Sequence, residues 1–162
     1  MKTPKKRKRE RKTSYKKRFE MLKSGIPRIV IRKTNKYLTV QYIESTNAKD
    51  KIIVSVSSRE LLNLGWPEKF KGSLKSISAA YLTGFLAGKK IISKGKNKSI
   101  LDIGLQRNVS QGRIYSALKG LVDSGIDISH NEKVFPNEER IKGKHLKEDF
   151  SKEFDKIKVK IK

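Results

Sequence analysis

The chain has 162 residues, of which 40 are Lys or Arg and 16 are Asp or Glu, a formal net charge of +24 with a pI near 10.3. Apolar residues make up 35%, enough for one core and thin for two, and a compact monomer so charged repels itself, which points to a polyanionic partner. The absence of cysteine excludes a disulfide scaffold, an iron–sulfur cluster and a thiolate zinc site, and no apolar run approaches the length of a transmembrane helix.

Residues 1–23 carry twelve basic and two acidic side chains, a net +10. The run Lys5, Lys6, Arg7, Lys8, Arg9, Glu10, Arg11, Lys12 cannot bury apolar area to offset its ordering entropy. Residues 1–25 therefore read as a basic arm, unstructured in the free protein before about residue 14. The charged start lacks the apolar centre and cleavage site of a signal peptide, so secretion is not expected. Tyr15, Phe19 and Leu22 share one face at helical spacing, which predicts a short helix ending at Gly25.

Pro27 begins the folded part, taken as a domain over residues 26–130. Ile29-Val30-Ile31 is a β-branched run, and Thr34-Asn35-Lys36 is a turn in which Asn35 can take the left-handed conformation. Leu38, Val40 and Tyr42 alternate with Thr39, Gln41 and Ile43; a second turn at 46–50 leads to Ile52–Val56. Three strands joined by short loops read as an antiparallel meander. The period then changes: Leu74, Ile77, Tyr81, Phe85, Gly88 and Ile91 recur every three or four residues, predicting a helix over about 74–93 with Ser73 as N-cap and Gly95 past its end. Ile100–Ile103 reads as a fourth strand. Ile114, Leu118, Leu121 and Val122 mark a second helix closed by Gly125, and Ile126–Ile128 a fifth strand.

The order βββαβαβ specifies an α/β domain: a mixed sheet, antiparallel meander plus parallel strands, covered by helices, with a basic N-terminal arm and a basic C-terminal extension. That extension, residues 131–162, places Leu146, Phe150, Phe154 and Ile157 on one helical face. The alternation from Ile157 to Lys162 suits an edge strand or an arm lying on RNA.

The sequence offers little catalytic chemistry. His130 and His145 are too far apart in sequence to form a helical ligand pair, so no metal site is expected. The segment from Gly88 to Asn97 lacks the spacing and terminal residue of a phosphate loop. Gly84-x-x-x-Gly88 is read as close packing of helix on sheet. Asp102, Asp123 and Asp127 would have to converge to support a two-metal nuclease; their ordinary reading is as helix and turn acids, so no catalytic residue and no cofactor are expected. Basic residues, in contrast, also stud the strands and the tail, with Tyr15, Tyr37 and Tyr42 interleaved and able to stack on bases; Tyr42 is better read as core. Charge spread over arm, sheet and tail suggests a protein embedded in folded RNA. The alternatives are another nucleic-acid-binding architectural protein, although the strand between the two helices excludes a helix-turn-helix, or the nuclease.

Tyr15-x-x-Arg18 and the continuous stretch from Leu22 to Asn35 (LKSGIPRIVIRKTN), then Gln41, resemble the start of a large-subunit ribosomal protein family. The family is number eighteen of the universal series, in its archaeal and eukaryotic form. The similarity continues through Ala80–Gly88 (AYLTGFLAG), Leu101–Leu105 (LDIGL), Asp123–Asn131 and Pro136–His145, blocks in order over roughly 15–146; Ser129 stands where members of the family carry proline. The resemblance implies a non-catalytic role in the cytoplasm: binding 5S rRNA in the central protuberance and attaching it to the large-subunit rRNA, beside neighbouring ribosomal proteins including the 5S-binding family numbered five, with no membrane partner. The RNA-binding residues expected are Lys5, Lys6, Arg7, Lys8, Arg9, Arg11, Lys12, Tyr15, Lys16, Arg18, Arg28, Arg32, Lys33, Asn35, Lys36, Gln41, Arg140, Lys142 and His145. Arginines hold phosphates in bidentate fashion, Asn35 and Gln41 can bond base edges or 2′-hydroxyls, and the lysines provide position.

Overall fold

The computed structural model describes residues 5–10, 13–47, 49–146 and 150–161. Arg11 and Lys12, expected on RNA, lie outside the described residues. In the arm, α1 (Lys6–Arg9) is one turn that buries nothing, and α2 (Tyr15–Lys23) is the predicted amphipathic helix. This turn falls where composition predicts an unstructured arm, and a single turn is far below the length at which an isolated helix is stable.

The meander follows as β1 (Arg28–Lys33), β2 (Leu38–Thr46) and β3 (Lys49–Ser57), antiparallel in sequence. Asn47, not Asn35, takes the left-handed conformation, with φ of 51° in the tight β2–β3 connection. The β1–β2 turn needs no such residue, because the Thr34 backbone and hydroxyl both bond to Tyr37. A long crossover through α3 (Ile77–Ile92) reaches β4 (Lys98–Asp102), and α4 (Arg113–Asp123) reaches β5 (Asp127–Ile128). The sheet order is β3-β2-β1-β4-β5, with β1/β4 and β4/β5 parallel. The mixed α/β sheet expected from the sequence is the one observed.

Two helices differ from expectation. Helix α3 starts at Ile77, not near Leu74: the Ser76 hydroxyl, not Ser73, accepts the Ala79 N–H at 3.2 Å. Residues 68–73 form a 3₁₀ segment, and Leu74 is buried from the loop that follows it. After α5 (Glu138–Lys142), the C-terminal alternation is neither strand nor extended arm but helix α6 (Ser151–Ile161). Phe154, Ile157 and Ile161 share its buried face, whereas Val159 is 67% exposed.

Helix α6 folds back on the core. One apolar cluster joins the inner sheet face (Ile29, Ile31, Val40, Tyr42, Val56) to Ala80, Ala87 and Ile91 of α3 and Ala117, Leu118 and Leu121 of α4. A second joins Leu82 and Phe85 on the other flank of α3 to Leu61, Trp66, Leu74, Ile141, Phe150, Phe154 and Ile157. Helix α3 is thus a middle layer, covered on both flanks over Ser78–Phe85, with Lys89 and Lys90 at its less buried last turn. Lys158 of α6 donates to the Tyr81 hydroxyl at 2.9 Å, and that hydroxyl donates to Asp123 at 2.7 Å. Burial, and then the Asp123 carboxylate, push the Tyr81 hydroxyl far above its ordinary pKa.

The glycines of the Gly84-x-x-x-Gly88 pair serve a helix–helix contact, not the expected helix–sheet one. A Cβ on Gly84 would stand 2.1 Å from the Ala117 carbonyl oxygen of α4, and one on Gly120 would stand 2.2 Å from the Tyr81 carbonyl oxygen. Glycine on both helices lets α3 and α4 approach backbone to backbone.

Candidate nucleic-acid interface

Side chains alternate along a strand. Since Ile29 and Ile31 face the helices, Arg28, Val30 and Arg32 face the other way. Strand register continues this outer face in rows: Arg32 beside Thr39 beside Ser57, and Val30 beside Gln41 beside Ser55. Ser55 is exposed and Thr39, Gln41 and Ser57 are half-buried. The Gln41 amide donates to the Ser55 hydroxyl at 3.2 Å. A sheet face of hydroxyls and an amide suits 2′-hydroxyls and phosphates.

Arg28 corrects the sequence reading. Its side chain is only 4% exposed, bonded to Asp102 at 3.0 Å and to Asp50 at 2.8 Å. A guanidinium so enclosed is a structural ion-pair residue and cannot reach a phosphate. Arg32, 39% exposed, is half free: one nitrogen donates to the Ile31 and Asp102 carbonyl oxygens at 3.0 and 2.9 Å, and the other lies 3.4 Å from the Asp102 carboxylate. It is held in place with one flank open.

Arg18 bonds Asp50 at 2.7 Å, so this acid ties α2 to the sheet through Arg18 and Arg28 together. Burial alone would raise the Asp50 pKa, but the Ser45 hydroxyl and the charges of Arg28 and Arg18 outweigh it and hold the carboxyl below its ordinary value. A depressed folded pKa means the tie is fully present above the ordinary value of 3.8 and is lost as pH falls through the lower folded one. In an NMR titration the α2 amides are expected to shift with a midpoint below 3.8, and Asp50→Asn to remove that transition. A midpoint at or above the ordinary value would contradict the pairing.

Between α2 and the outer face lies a cleft of about 580 Å³ lined by Arg7, Lys17, Arg18 and Arg32 among others. Lys5, Lys6, Arg7, Lys8, Arg9 and Lys16 are exposed along the arm, and Tyr15 is half-buried with the Lys5 ammonium 5.0 Å from its ring. Asn35 and Lys36 are exposed at the β1–β2 turn. Tyr37 is covered by the Arg59 guanidinium at 4.1 Å, and Tyr42 is in the core.

Lys33, Arg140 and His145 are brought together elsewhere, in a second cleft of about 780 Å³ at the N-terminus of α4. Lys75, Arg107 and Arg113 line it too, and sequence reasoning missed all three. The signal was present: no Asp or Glu occurs between Asp102 and Asp123. Lys142 is not part of this group and lines a small cavity with Tyr81 and Asp123. Among the described residues no group of His, Asp or Glu is arranged to hold a metal. The three aspartates considered for a nuclease do not converge: Asp102 pairs with Arg28, Asp123 pairs with Lys119 at 3.0 Å, and Asp127 is exposed on β5.

A family model described as "Ribosomal large subunit proteins 60S L5, and 50S L18" matches residues 1–100 and 93–131. The chain is similar to large ribosomal subunit protein uL18 of Aeropyrum pernix, 42% identical over 144 residues, covering 88% of this chain and 65% of that protein. It therefore spans just under two thirds of that relative's length. It is 41% identical over 162 residues to uL18 of Methanothrix thermoacetophila, covering 98% of this chain and 94% of that protein. With uL18 of Korarchaeum cryptofilum it shares 44% identity over 140 residues, covering 86% and 70%.

Proposed function

The chain belongs to the uL18 family of large ribosomal subunit proteins, structural constituents of the cytoplasmic ribosome and not enzymes, and from that premise we propose that it binds 5S rRNA and attaches it to the large-subunit rRNA in the central protuberance. The outer sheet face and the arm form the 5S surface, and a 5S-binding ribosomal protein of the family numbered five is its neighbour. The observation that carries this reading is the open face formed by Arg32, Thr39 and Ser57 beside Gln41 and Ser55, bordered by the cationic cleft under α2. Strand side chains are presented rigidly, so they recognise shape with little entropy lost on binding, whereas arm lysines act through counterion release.

Two measurements on 5S rRNA separate these contributions. Arg32→Ala is expected to weaken binding by about 1.5 kcal/mol, roughly tenfold, because a charge-assisted bond from a pre-positioned guanidinium is removed. Arg32→Lys should recover only part of it, and Lys6→Ala should cost a few tenths, about what one exchangeable surface charge contributes. Equal losses for Arg32→Ala and Lys6→Ala would show that bulk charge alone drives binding.

Deleting residues 2–12 removes eight basic side chains and one acidic one. The slope of log affinity against log salt should then become shallower by about 0.7–0.9 for each phosphate that the arm no longer neutralises. An unchanged slope would place the arm away from RNA.

A further inference from the structure

Arg32 and Lys33 are consecutive in β1 yet line different clefts, Arg32 the one under α2 and Lys33 the one at the start of α4. Alternation along the strand sends one to each side of the sheet. From this we infer that the chain is two-sided: the α4 cleft is a second RNA site, taking the sugar–phosphate backbone of a segment separate from the one on the outer sheet face. The inference rests on the proposed attachment role and names the surface that would perform its second half.

The chemistry of the cleft supports a phosphodiester ligand. Lys33, Lys75, Arg107, Arg113, Arg140 and His145 reach it from a strand end, two loops, the start of α4, α5 and the segment after α5. Among the described residues no carboxylate and no Phe, Tyr or Trp lines it, His145 being the one ring there. Positive charge without an acid fits a polyanion, and a lining dominated by Lys and Arg side chains, with no Phe, Tyr or Trp platform, favours phosphate and sugar contacts, so the cleft reads backbone and shape. Helix α4 begins there with Gly112 as N-cap and no side chain bonded to its first N–H groups, which adds the positive end of the helix dipole to the same space. Arg113 is half-buried and donates to the Lys75 carbonyl oxygen at 3.5 Å, while Arg107 and Lys75 are exposed. The size, about 780 Å³, exceeds that of a single phosphate and suits a turn of backbone.

The test uses the full chain, a 5S rRNA transcript and a large-subunit rRNA transcript as separate probes. For the variant Arg107→Gln/Arg113→Gln, 5S affinity is expected to stay within about twofold, whereas capture of the large-subunit transcript by the 5S-bound protein should fall about tenfold. The salt slope of that second step should become shallower by roughly one and a half units, at about 0.7–0.9 per phosphate. Unchanged capture with an unchanged slope would overturn the inference and leave the cleft to an acidic protein segment. An equal loss of 5S affinity would also overturn it, since both clefts would then belong to one 5S surface. Wild-type chain that fails to bind 5S rRNA would sink the proposed function, yet comparing wild type and variant on the large-subunit transcript alone would still decide the cleft. Should the double variant lose its near-ultraviolet circular dichroism, Lys75→Gln/Arg107→Gln, both on exposed loop positions, replaces it with the same expectation.

Discussion

Asp102→Ala is expected to destabilise the fold by about 3–5 kcal/mol, the loss found when one partner of a buried ion pair is removed. Asp102 is the inner counter-ion of Arg28, whose side chain is 4% exposed and whose Nε has no hydrogen-bond partner among the described residues. Without Asp102 the guanidinium keeps only its outward contacts to Asp50 and Ser45. The same carboxylate accepts the Gly104 N–H at 2.8 Å and faces Arg32, so the β4 end loosens as well. At about 2–4 °C per kcal/mol for a chain of this size, the melting temperature should fall by roughly 10 °C. Replacing both partners by apolar residues, Arg28→Met/Asp102→Leu, should recover most of the loss, since the desolvation cost disappears with the charges. The check is thermal and urea denaturation of the three proteins. A single variant as stable as wild type would show that solvent reaches Arg28.

Gly84→Ala is expected to cost about 3 kcal/mol, the upper end for overpacking. The added methyl group would meet the Ala117 carbonyl oxygen at 2.1 Å and its carbonyl carbon at 2.8 Å, backbone atoms that cannot rotate away. Helices α3 and α4 must separate, and the apolar cluster between them and the sheet opens. The gain in helix propensity, up to about 1 kcal/mol, does not offset this. Gly120→Ala meets the Tyr81 carbonyl oxygen in the same way. The double variant should cost less than the sum of the two singles, because one separation of the helices relieves both. Gly72→Ala, with nothing within 4 Å, is the control and should stay within about 0.5 kcal/mol of wild type. Equal denaturation midpoints for Gly72→Ala and Gly84→Ala would rule out the close helix crossing.

Strand β2 was legible because one face is buried and the other polar, so Val40, Gln41 and Tyr42 alternate within three residues, whereas β1, buried on both faces at Ile29, Val30 and Ile31, was legible as a continuous β-branched run. The start of α3 was not, because Leu74 is as buried as the helix residues it precedes. Periodicity reports burial, and a buried loop residue counts toward it. At the C-terminus Ile157, Val159 and Ile161 fit a period of two as well as Phe154, Ile157 and Ile161 fit a helix. Only the apolar flank of α3, formed by residues far away in sequence, selects the second. In the site, the basic side chains could be read from sequence but their acid partners could not. Arg28 and Arg32 look alike in the strand, and the positions of Asp50 and Asp102 decide that one is buried and the other half free.

Helix α3 has one more consequence, for synthesis. Its two flanks are completed at different times, since the sheet strands β1–β3 are made before it and most of the elements that cover Leu82 and Phe85, including Ile141, Phe150, Phe154 and Ile157, are made after it. A nascent chain that has emerged only as far as β5 would already hold its sheet yet display an aromatic stripe on the far side of α3. Such a stripe is a natural handle for chaperones. Release from the chaperone would then coincide with docking of α6, which covers that stripe.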